Sequence, residues 1–187
     1  METEQNLRQK VKFLLLLFIF LLVISGLTAF PLETELAFLK SLNFGPDIMK
    51  RWIAIVYSGL KETNQAYPFL AYGTDWLAFA HLAIAVFFIG PLKDPVRNIW
   101  IIKAGMIVSV GIFPLAFIAG NIRNIPFYWQ LIDCSFGVFG FLLLNYCLAL
   151  IRKLELVQNQ QTLSESATKP PLSCPFHQPK ISSKLAS

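Results

Sequence analysis

Three side chains in this 187-residue chain are placed where they could do chemistry together: His81, Asp133 and Arg123. His81 and Asp133 each sit inside or beside a long uncharged stretch, and Arg123 ends another. Ionisable groups at membrane depth are costly and usually face a bundle interior. By helical rise, His81 lies about 9 Å past Asp75 and Asp133 about 11 Å past Pro126, so the two share a level. A carboxylate flanked by a guanidinium and an imidazole stays ionised and fixes the histidine tautomer. Such a cluster either clasps helices in register or opens outward to bind an anion, relay a proton or hold a small molecule.

Small residues surround all three. Ala78, His81 and Ala85 recur at helical spacing, as do Asp133, Gly137 and Gly140. Gly105, Ser109, Ala116 and Gly120 make a stripe that Arg123 prolongs. Small residues let helix backbones approach closely in lipid, so the three side chains are expected to converge inside the outer half of a bundle. A haem held by two imidazoles would need a second histidine within the membrane, and none is there. Cys174 and His177 form half of a metal pair with no second half, so no metal site is expected. Cys134 and Cys147 lie about 20 Å apart along one helix and cannot bridge each other. No nucleophile–base set or phosphate loop is visible; no catalytic residue and no cofactor are assigned, and the enzyme question stays open.

The elements that must position these residues are four charge-free stretches: Phe13 to Leu32, Trp76 to Leu92, Ala104 to Ile122 and Cys134 to Ile151. Runs of roughly 18 or more apolar residues are long enough to cross ~30 Å of hydrocarbon as helices. The chain is 55% hydrophobic and only 14% charged, which excludes an ordinary soluble domain. Its net charge of +5 is concentrated beside membrane spans and carries no stripe of exposed aromatics, so nucleic acid is not an expected partner. The fold class is therefore all-α: a transmembrane four-helix bundle, residues 1–154, with spans near 12–30, 75–91, 98–119 and 127–151. The first run exceeds the ~7–15 residues of a signal-peptide core and is expected to stay as a span. Arg8, Lys10 and Lys12, then Lys93, Arg97 and Lys103, then Arg152 and Lys153 all fall on one side, which places both ends in the cytoplasm.

The outer loop, 31–74, reads as two amphipathic helices lying on the leaflet. One carries Leu32, Leu36 and Leu39, and the other carries Ile48, Trp52, Ile55, Val56 and Leu60. Asp94-Pro95 reads as a helix start, and Phe113-Pro114 as a kink in the third span. Residues 155–187, polar and proline-bearing, read as a disordered cytoplasmic tail.

Tyr72-Gly-Thr-Asp-Trp-Leu-Ala-Phe-Ala-His81, Asp94-Pro-Val-Arg-Asn-Ile-Trp100 and Leu131-Ile-Asp-Cys-Ser-Phe-Gly-Val-Phe-Gly140 resemble an uncharacterised family of small four-span bacterial integral membrane proteins. The resemblance covers about residues 67–153 and implies a bacterial inner-membrane location; it implies no chemistry. Two functions are expected from the residues: a non-enzymatic accessory or interaction protein, homo-oligomeric or bound to a membrane-protein partner, or a transporter or ligand-binding bundle using the His/Asp/Arg cluster. The lipid bilayer is the partner common to both.

Overall fold

Lipid offers backbone N–H and C=O groups no partner, and each of the four apolar runs here is satisfied internally as a helix. A computed structural model describes residues 3–168, which form seven α-helices with no strand among them. These are α1 (Glu4–Ala29), α2 (Leu32–Leu42), α3 (Asp47–Ala66), α4 (Ala71–Phe87), α5 (Ile89–Lys93), α6 (Ile99–Ile122) and α7 (Phe127–Thr168). A 3-10 turn, Pro68–Leu70, leads into α4. Four stretches, Glu4–Ala29, Pro68–Lys93, Ile99–Ile122 and Phe127–Leu163, are long and apolar enough to cross a membrane. The chain is an all-α, multi-pass membrane protein.

The spans run alternately up and down between a terminal end, where α1 begins, and a loop end, where α2 and α3 lie. In packing order they read α4, α1, α7, α6. The central helix α1 serves both sides: α4 packs on one flank and α7 on the other, while α6 packs on α7. No packed interface joins α4 to α6 or α7. The fully buried apolar cluster lies in the terminal half, where Leu7, Val11 and Leu15 of α1 meet Leu144, Cys147, Ile151 and Leu154 of α7. Phe88, at the α4–α5 junction, closes this half by stacking against Phe18 and covering Gly105 of α6. Towards the loop end the α1–α4 and α6–α7 pairs share no such core.

The α7 helix runs past the expected boundary at 154. Leu154 is buried and Val157 packs on the core, and the Gln158 amide donates to Glu4 Oε1 at 3.0 Å. Residues 155–168 therefore continue a helix instead of starting a tail, because α1 extends beyond its own apolar run and gives them a partner. Expectations for 169–187, including the Cys174/His177 pair, fall outside the described residues. Gln158 and Arg8 together hold the half-buried Glu4 carboxyl below its ordinary value, so the stability this tie contributes is present at neutral pH and is lost as pH falls through that lowered range.

One turn differs from its expected form. Asp94 accepts from the Arg97 N–H at 3.0 Å but caps a turn, and α6 starts only at Ile99. Asn98 ties that turn down through the Gly90 and Asp94 carbonyls. Pro114 lies inside α6, which remains one continuous helix through it.

Close approach decides the helix pairs. A Cβ built on Gly26 would lie 2.9 Å from the Ala78 carbonyl oxygen, and one on Gly137 would lie 2.7 Å from that of Ser109. Both obstacles are backbone, so the helices themselves would have to separate. Gly26→Ala or Gly137→Ala should therefore destabilise the detergent-solubilised protein by about 1–3 kcal/mol. Gly59→Ala in α3, with nothing within 4 Å, should stabilise by about 0.5–1 kcal/mol through helix propensity alone. Equal melting temperatures for the three variants would refute this account of the packing.

Candidate functional site: a polar cleft between α6 and α7

The expected three-residue cluster divides between two places. Arg123 and Asp133 line one cleft of about 260 Å³ at the loop end, between α6 and the start of α7. Its walls are apolar, formed by Ile112, Leu115, Ala116, Ala119, Gly120 and Ile125. Neither charged side chain has an ion-pair or hydrogen-bond partner among the described residues. Asp133 is half-buried on the α7 face that meets α6, one turn from Gly137, while Arg123 ends α6 in an exposed position.

His81 is elsewhere. Its face of α4, with Ala78 and Ala85, packs on α1, and the His81 Cβ lies 3.2 Å from where a Gly26 side chain would begin. The imidazole Nδ1–H donates to the Leu77 carbonyl of its own helix at 2.8 Å; a carbonyl can only accept, which makes Nδ1 the donor. Equal depth did not bring His81 to Asp133, because the small face of α4 is occupied by α1. The convergence expected from shared level and small neighbours is thus corrected to a two-residue cleft plus a separate histidine.

The turn that frames the cleft explains its shape. Asn124 adopts the left-handed conformation at φ 54°, and its N–H bonds to the Asn121 carbonyl while the Ile125 N–H reaches back to Gly120. This Schellman pattern satisfies the last carbonyls of α6. Gln130, only 1% exposed, then staples the turn: its Nε2 donates to Asn121 Oδ1 at 3.2 Å and to the Ile125 carbonyl at 2.8 Å. Gly120 is the residue that admits it, since a Cβ there would lie 2.8 Å from the Gln130 carboxamide carbon. The sequence signal for this staple was the polar run Asn121-Ile-Arg-Asn124 between Gly120 and Pro126, with Gln130 one turn into the next helix.

Chemically, the cleft offers a carboxylate against apolar walls and an exposed guanidinium at the rim. It can hold a proton or a small cationic or zwitterionic group. Among the described residues, no group of three or more His, Cys, Asp or Glu side chains could hold a metal ion. No family model, no curated protein and no solved structure matches this chain.

Two substitutions separate the roles of these residues. Asp133→Asn removes no ion pair, so the melting free energy in detergent should move by less than about 0.5 kcal/mol. Gln130→Ala removes two buried hydrogen bonds and opens the turn, and should cost about 1–3 kcal/mol. A loss of several kcal/mol in Asp133→Asn would reinstate the charged clasp.

Proposed function

We propose that this chain is a non-enzymatic accessory or interaction protein of a bacterial cytoplasmic membrane, working through association within the bilayer. The observation that carries the reading is the open helix row. Both edge helices, α4 and α6, leave long apolar faces without a partner among the described residues. On α6 that face runs Ile107, Gly111, Leu115 and Ile118, with Gly111 as a notch where another helix backbone can approach. A second copy or a membrane-protein partner is the occupant that fits. The bacterial origin rests on the motifs at 72–81, 94–100 and 131–140, and the orientation rests on the basic residues gathered at the terminal end.

A second reading, ligand binding or transport, is favoured by one specific observation: Arg123 and Asp133 share a cleft without pairing to each other. It would use two residues of the expected cluster and leave His81 aside.

The test is native purification in mild detergent, with the mass of the particle measured and its contents identified. A homo-oligomer or a stoichiometric protein partner is expected, and Gly111→Phe should disperse it while the melting temperature holds. A monodisperse monomer without any protein partner would overturn the reading. A reporter active only in the periplasm, fused after Ser187, should be silent; activity there would reverse the orientation.

A further inference from the structure

The exposed apolar side chains of α1, α4, α6 and α7 lie on the spans, where hydrocarbon or a helix docked within the bilayer covers them. Those of the α2–α3 segment do not. Inside this hairpin, Leu36 and Ile53 are buried, and the Asn64 amide donates to the Glu33 carboxylate at 2.8 Å to close its base. Around its tip, Phe38, Leu39, Leu42, Phe44 and Ile48 are all exposed, and Ile55 continues the face along α3. Phe44, in the turn between the helices, is 82% exposed, more than any large apolar residue on the spans. In water such a continuous patch marks an interaction surface.

The position of the tip identifies what covers it. Near its far end α3 sits over the entry to α4, where Leu60 and Asn64 line a shared cavity with Phe30, Thr74 and Asp75. At its near end the Tyr128 hydroxyl donates to the Ile48 carbonyl at 3.3 Å, which sets the tip beside the start of α7. The chain neighbour of Tyr128, exposed Phe127, is the first residue of the α7 span and stacks on Phe117 of α6. Along α3, exposed Ile48 and Ile55 share their side with exposed Glu62, seven residues further on, and Arg51 and Ser58 lie close beside it, so the apolar surface is confined to the tip end of the helix. The apolar tip thus sits beside the start of the α7 span, and the polar residues of the same side lie further along α3, away from it.

We infer that the α2–α3 tip, centred on Phe44 with Leu42 and Ile48, is a lipid-binding anchor that inserts into the leaflet at the loop end. The strap formed by α3 is thereby held at three points: the entry to α4, the start of α7 and the lipid beside it. The occupant is the membrane in which the spans themselves sit, and a second copy of the chain is the competing one.

The full chain with Cys174→Ser, reconstituted in phospholipid vesicles, allows a direct test, because Cys134 and Cys147 are buried. A spin label is placed at Phe44→Cys, at Ile48→Cys and, as a water-facing control on another side of α3, at Lys61→Cys. Labels at 44 and 48 should be reached by dissolved oxygen in preference to a water-soluble nickel chelate, and the label at 61 should show the inverted ratio. Tip labels as accessible to the nickel chelate as the control would overturn the inference in favour of an aqueous tip. Tip labels shielded from both reagents would overturn it in favour of a protein partner.

Discussion

Packing on both flanks of α1 is the constraint from which the rest of this fold follows. One helix must meet α4 and α7 at once, and it does so at different heights. Near the loop end Gly26 lets the α4 backbone come close, with the Ala78 carbonyl almost in contact. Near the terminal end Leu7, Val11 and Leu15 interlock with the α7 leucines and isoleucine. A small residue gives close approach in lipid, and branched side chains give interdigitation. Using both along one helix sends its two partners to different heights.

That difference gives the bundle its asymmetry. The terminal half is closed by Phe88 between α1 and α6, while the loop half has two helix pairs and no common core. Polar residues at loop-end depth consequently meet their own pair and not the opposite one. His81 stays with α1, and Asp133 stays with α6. The α3 strap lies across this looser half, which puts an interfacial element where the spans hold one another least.

Much of this was readable in the chain. Length and absence of charge were enough for the four spans, since backbone hydrogen bonding in lipid leaves only one solution for runs such as Ala104 to Ile122. The two helices of the 31–74 segment followed from Leu32, Leu36 and Leu39 and from the α3 periodicity, although Ile53 turned out to be the buried residue and Ile48 and Ile55 exposed ones. The small-residue stripe of α6 does face α7, through Gly105, Ser109 and Gly120. Neighbour order was not readable. Depth along a helix follows from counting residues, but which partner a face meets depends on packing across the whole bundle, and that misplaced His81. The helical character of 155–168 was hidden for a related reason: its composition is polar, and only the overhang of α1 supplies the contacts that order it.

The overrun of α7 has a mechanical consequence. At 1.5 Å per residue its 42 residues form a rod of about 63 Å, twice the thickness of the hydrocarbon, and no proline interrupts it. A helix of this kind turns as a unit. When the α6–α7 pair rotates or tilts within the bilayer, the segment beyond Leu154 swings through the same angle, and the overhang of α1, tied by Glu4 to Gln158, is drawn with it. A change in the lean of the α6–α7 pair is thereby carried, as by a lever, to a two-helix stub beyond the apolar runs.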